Sequence, residues 1–128
     1  MDVDGRIVDF LAQRRLALAG ASRGGGKYGN KVLADLTAKG YEVLPVHPAA
    51  AAIDGVRCFP SLADLPPGVG GLVLVVPPEQ TERLVREAAA AGIPRVWMQP
   101  GAESEDAIRS CEEHGITAVW GECIMVQS

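Results

Sequence analysis

Residues 16–30 read LALAGASRGGGKYGN, and the fold follows from how this stretch divides. Leu16 to Ala19 is wholly apolar, as a strand covered on both faces must be. Gly20 to Gly26 is a run of small residues interrupted by Arg23, and from Tyr28 the apolar positions Tyr28, Val32, Leu33 and Leu36 fall at helical spacing. A buried strand that enters a glycine-rich turn and opens a helix is the local architecture of a phosphate cradle. Small residues let the backbone approach an anion closely, and the first helical turn presents unpaired N–H groups at the positive end of its dipole. Gly20, Ala21 and Ser22 form the expected close-approach segment. Ser22 adds a hydroxyl donor, and Arg23 and Lys27 bring positive charge to the rim. The plainer alternative is a surface loop that only connects strand to helix, but the flanking elements favour the cradle.

Two familiar motifs fail in this stretch. The P-loop pattern puts glycine where Ala21 stands and Ser or Thr where Tyr28 stands, so the hydroxyl that holds Mg²⁺ is missing and triphosphate hydrolysis is not expected. The dinucleotide fingerprint would need glycines at positions 20, 22 and 25, and Ser22 interrupts it. The acid that binds ribose hydroxyls belongs at the end of the second strand. That end reads Val46-His47-Pro48, with no carboxylate.

Outward from the cradle the elements alternate. Ile7, Phe10 and Leu11 mark a short amphipathic helix within residues 4–13, packing on the sheet as an N-terminal cover. Tyr41 to Val46 reads as the second strand. The alanine run 49–52 and Ile53-Asp54-Gly55 read as a connection with weak structure, Val56 to Phe59 as a short edge strand, and 61–65 as one helical turn. GLVLVV at 71–76 is the strongest strand signal. Pro77-Pro78 ends that strand and starts a helix with Leu84, Val85, Ala88 and Ala91 facing inward. Arg95 to Gln99 is the next strand, and Ser104 caps a helix carrying Ala107, Ile108 and Cys111. Ile116 to Trp120 is the last strand, and both Trp97 and Trp120 read as sheet-packing residues. The expected architecture is a single domain over residues 1–128, a three-layer α/β/α Rossmann-like fold with an open parallel sheet. Ligands of such sheets sit outside the carboxyl ends of the strands.

Composition narrows the function. The chain has 128 residues, 48% of them hydrophobic, and a formal net charge of −4, which fits one globular domain and argues against nucleic acid or an anionic membrane as partner. The acidic N-terminus MDVDGRIVDF is not a signal peptide and no apolar run reaches membrane length, so a cytoplasmic location is expected. Cys58, Cys111 and Cys123 lack CxxC spacing, and with two histidines they support neither a disulfide framework nor a metal site.

Six segments in order, GASRGGGKYGN, GYEVLPVHP, DGVRCFPSLADLP, LVLVVPPE, RVWMQPG and GECIM, resemble the small CoA-binding domain proteins, single-domain relatives of the nucleotide-binding domain of succinyl-CoA synthetase α subunits. The resemblance covers residues 14–126. It implies a site for coenzyme A or an acyl-CoA, with the diphosphate at Gly20 to Arg23 and the start of the next helix. The matching positions are Gly20, Ala21, Ser22, Arg23, Lys27, Gly29 and Asn30, then His47 and Pro48, Val76, Pro77 and Pro78, and Gln99 with Gly101. The family often has Asn where His47 stands, and the Gly24–Gly26 run adds ordering entropy to binding.

A site with Arg and Lys and without the ribose-binding carboxylate suits the extra 3′-phosphate of CoA, and NADP fits on the same grounds. The reading is therefore a non-catalytic binding, sensing or carrier protein that serves a small nucleotide ligand and a protein partner. Its alternatives are an NAD(P)-dependent redox enzyme, an acyl carrier that uses Cys123, and a scaffold subunit with a degenerate pocket. His47 is either a ligand contact, a general base or a turn cap; Cys123 is either a pantetheine-facing thiol or an inert one. The full succinyl-CoA synthetase reaction, which uses a phosphohistidine from another domain, is not expected of this chain alone.

Overall fold

The apolar strands alternate their side chains between two covers, and that alternation builds the molecule. The computed structural model describes all of residues 1–128. Strands β1 (Arg15–Ala19), β2 (Glu42–Val46), β5 (Gly71–Leu74), β6 (Arg95–Met98) and β7 (Thr117–Val119) form one sheet in the order β2-β1-β5-β6-β7. Every neighbour in it is parallel. Leu16 and Leu18 face one side, with helices α1 (Val3–Leu11), α2 (Tyr28–Ala38) and α5 (Ile124–Gln127) packed over them. Ala17 and Ala19 face the other, under α3 (Pro78–Ala90) and α4 (Glu105–Glu113). The result is the expected three-layer Rossmann-like α/β/α domain.

The N-terminal helix is an integral part of the first cover. Phe10, 1% exposed, meets Trp97 edge-on with ring centroids 5.3 Å apart. Its ring also lies where a side chain at residue 71 would stand: a Cβ on Gly71 would come within 2.6 Å of Phe10 Cε2. Asp9 pairs with Arg95 at 2.7 Å, which ties α1 to β6. No helix is long and apolar enough to cross a membrane.

Several local expectations are corrected. The segment read as weak connection contains a hairpin, β3 (Ala52–Ile53) antiparallel to β4 (Val56–Arg57). Asp54 and Gly55 turn it with φ of 50° and 79°, the left-handed pair that a two-residue hairpin turn requires. The Asp-Gly dipeptide carried that signal, and the neighbouring alanines obscured it. The single edge strand expected over Val56–Phe59 is divided: Arg57 belongs to the hairpin, whereas Phe59 bridges Val46 beside β2. Tyr28 does not join the inward stripe of α2. As the helix's first residue it stands above the sheet end, 47% exposed. Trp120 lies just past the edge strand β7 and is 37% exposed, with the Arg6 guanidinium 5.7 Å from its ring. The short α5 was not expected; Gln99 Oε1 accepts its first N–H, from Ile124, at 2.7 Å.

Because Phe10 links α1 to the fully buried Trp97 on β6, Phe10→Ala should lower the unfolding free energy by about 3–5 kcal/mol in chemical denaturation. A loss below about 1 kcal/mol would mean that α1 is a dispensable attachment.

Candidate functional site

Three backbone segments converge where β1 ends. Gly20 has φ of 122°, and a Cβ there would lie 2.1 Å from the carbonyl oxygen of Val75, just past β5. A Cβ on Gly29, in the first turn of α2, would lie 2.3 Å from the carbonyl oxygen of Gly20. Neither position has room for a side chain, so the N-terminus of α2 sits directly against the strand ends. Lys27 occupies its N-cap position without a side-chain cap, which leaves first-turn N–H groups without the partner a cap supplies.

Asn30 holds the intervening loop in place. It is 6% exposed; its Oδ1 accepts from Ser22 N at 2.9 Å, and its Nδ2 donates to Ser22 O at 2.8 Å and to Asp54 Oδ2 at 3.0 Å. One side chain thereby joins the cradle loop to the β3–β4 turn. Ser22 Oγ accepts from Gly24 N at 3.2 Å, a bond that leaves the hydroxyl proton free to donate.

The strand order places a topological switch here, because the chain leaves β1 for β2 on one side and continues through β5, β6 and β7 on the other. A cleft of about 600 Å³ opens at that point. Of the residues expected at the site, Gly20, Ala21, Lys27, His47, Pro48, Val76 and Pro77 line it. The others stand outside its lining. Ser22 is half-buried and Arg23 exposed on the loop, Gly29 stands in the first turn of α2 against Gly20, Asn30 lies behind the cradle, and Pro78 is the first residue of α3. Gln99 is buried at the end of β6 and braces α5, while Gly101 is exposed and donates its N–H to Glu103.

Sequence reading missed one wall of the cleft. Gln80, Arg83, Leu84 and Glu87 form a face of α3 along it, and Pro60 and Ser61 add to the lining. The spacing 80, 83, 84, 87 was available as a helical face. The polar flank runs beside the apolar stripe of Leu84, Val85 and Ala88, and in sequence it has the pattern of a solvated helix face.

His47 caps a turn. Its Nδ1 accepts from Ala49 N at 3.0 Å and Ala50 N at 3.1 Å, so the ring keeps its proton on Nε2 and can offer a ligand a donor. The three thiols differ. Burial pushes Cys111 up to about 12 and also raises Cys58. At Cys123 burial opposes ionisation, but hydrogen bonds from the Tyr28 hydroxyl, the Gln99 amide and the backbone of Met125 and Val126 outweigh it and hold the thiol below its ordinary range. Tyr28 Oη is 3.5 Å and Gln99 Nε2 3.4 Å from Cys123 Sγ.

Fold and cleft define a class: a Rossmann-like α/β domain with an open cleft at its switch point. Residues 14–128 match the family model of the CoA binding domain, and the chain belongs to that family. It is 29% identical over 106 residues to the ADP-forming acetate–CoA ligase II of Archaeoglobus fulgidus, a match that covers 81% of this chain and 16% of the ligase. The uncharacterized protein YneT of Bacillus subtilis is 26% identical, over 88% of this chain and 84% of its own length. Among solved structures, a conserved hypothetical protein from Pyrococcus furiosus superposes with a TM-score of 0.86 at 46% identity, covering 90% of this chain and 99% of that one. The acetyl-coenzyme A synthetase 1 of Candidatus Korarchaeum cryptofilum, solved with phosphate and ADP, gives 0.72 at 25% identity, over 82% of this chain and 25% of that one.

Two outcomes follow from the geometry. Asn30→Ala leaves buried loop groups unpaired and should cost about 1–3 kcal/mol of stability by thermal or chemical unfolding; an unchanged midpoint would mean the loop does not depend on it. Iodoacetamide should alkylate Cys123 in the folded protein with a rate that rises through a midpoint below that of a free cysteine. Tyr28→Phe removes a bond to the thiolate and should move that midpoint upward. A wild-type midpoint at or above the free value would contradict the hydrogen-bond account.

Proposed function

We propose that the switch-point cleft binds coenzyme A or an acyl-CoA and that binding itself, for sensing, carriage or delivery to a protein partner, is what the domain does. The diphosphate lies against Gly20, Ala21, Lys27 and the first turn of α2, and the adenosine portion lies beside His47 and Pro48. The observation that carries the reading is the close approach of Gly20 and Gly29, which brings uncapped helical N–H groups and the helix dipole to the cleft without an intervening side chain. Family membership supports CoA as the ligand class. His47, at the cleft, has its acceptor nitrogen engaged with the backbone, which favours a binding role for it over proton abstraction.

Cys123 favours a second reading as an acyl carrier. Its thiolate would attack the carbonyl carbon of an acyl-CoA thioester, the acyl group would pass to Sγ, and CoA would leave as a thiolate that takes up a proton from water. Hydrogen bonds from Tyr28 and Gln99 to the sulfur support it. Cys123→Ser should then abolish acyl transfer and keep CoA binding; an unmodified wild-type protein after incubation with acetyl-CoA would remove this reading.

Isothermal titration calorimetry with CoA, acetyl-CoA, NAD and NADPH tests the main proposal. CoA or acetyl-CoA should bind more tightly than either dinucleotide, and Lys27→Glu, a charge reversal at an exposed cleft position, should weaken CoA roughly tenfold or more, about 1.4 kcal/mol. Tighter binding of NADPH would point to redox chemistry. No affinity for any of the four would make the cleft a degenerate pocket in a scaffold.

A further inference from the structure

The cleft holds a second positive centre away from the cradle. Its lining includes two cations, Lys27 at the N-cap of α2 and Arg83 on α3. At 1.5 Å of rise per residue, Arg83 lies about 9 Å along α3 from Pro77, at the start of that helix. The cleft therefore has a cation on each of two helices, α2 and α3, that cover opposite faces of the sheet.

Arg83 has one carboxylate partner, Glu87, whose Oε2 accepts from Nη1 at 2.5 Å. Both side chains line the cleft, and both are well exposed, at 56% and 36%. An exposed i,i+4 pair of this kind is held weakly. A phosphomonoester carries more negative charge than a carboxylate and matches the guanidinium fork, so it can displace Glu87. At the end of β2, the sequence Val46-His47-Pro48 offers no carboxylate to repel such a group. We infer that Arg83, released from Glu87 by the incoming ligand, recognises the 3′-phosphate on the ribose of CoA and sets the site's preference for phosphorylated over unphosphorylated ribose. This rests on the reading of the cleft as a CoA site. Glu87 is then an internal anion that competes with the phosphate for Arg83.

The test compares CoA with dephospho-CoA, and NADPH with NADH, by calorimetry on the wild type, Arg83→Gln and Glu87→Gln. The wild type should prefer CoA over dephospho-CoA by roughly tenfold or more, with a smaller preference for NADPH over NADH. Arg83→Gln should bring the CoA preference close to parity, chiefly by weakening CoA. Glu87→Gln should act in the opposite direction and strengthen CoA more than dephospho-CoA, a gain that misfolding cannot produce. A preference that survives Arg83→Gln, or equal wild-type binding of CoA and dephospho-CoA, overturns the assignment while leaving the CoA site intact. Stronger discrimination within the NADPH pair overturns the 3′ assignment. Wild-type protein that binds neither CoA nor dephospho-CoA removes the CoA site itself.

Discussion

The structure depends on a backbone contact in which side chains have no part. The carbonyl of Val75 stands against Gly20, and the carbonyl of Gly20 stands against Gly29, so the ends of two strands and the start of α2 share one point. Any Cβ at position 20 or 29 would push these segments apart, and the cleft between β1 and β5 would lose its floor. Asn30 then fixes the loop from behind with three hydrogen bonds, so that the loop is shaped before a ligand arrives.

That contact requires the sheet to be rigid, and the two covers supply rigidity from opposite sides. Leu16 and Leu18 anchor the face under α1, α2 and α5, where Phe10, Trp97 and Gly71 interlock. Ala17 and Ala19 let α3 and α4 lie close on the other. The small residues have a consequence at the site. They bring α3 to the cleft along most of its length, so that Pro77, Gln80, Arg83 and Glu87 line it opposite α2.

Much of this was legible in the chain itself. LALAG followed by a helical stripe gave the strand, the turn and the helix, because burial on both faces leaves an uninterrupted apolar run and the turn needs small residues. Ser104 was readable as a cap, and its Oγ accepts from Ala107 N as a cap should. The cleft was legible where it consists of strand ends: Gly20, Ala21, His47, Pro48, Val76 and Pro77 line it because parallel strands end together. What was not legible depends on tertiary neighbours. Asn30 reads as a ligand contact in sequence, whereas in the fold Ser22 and Asp54 take both of its amide protons and one acceptor site of its oxygen. Gln99 likewise turns out to serve α5 and Cys123. Arg83 carries no signal of its place, because an exposed helical arginine looks the same in sequence whether it faces open solvent or a cleft.

The proposed site puts CoA at the switch point, with its diphosphate on the Gly20–Gly29 contact. Titration of ¹⁵N-labelled protein with CoA, followed by amide chemical shifts, tests that place directly. Binding there puts the largest shifts at Gly20, Ala21, Tyr28 and Gly29, with a second group around Arg83 on α3. Shifts concentrated on the opposite end of the sheet, at the amino ends of β1 and β5, would contradict it.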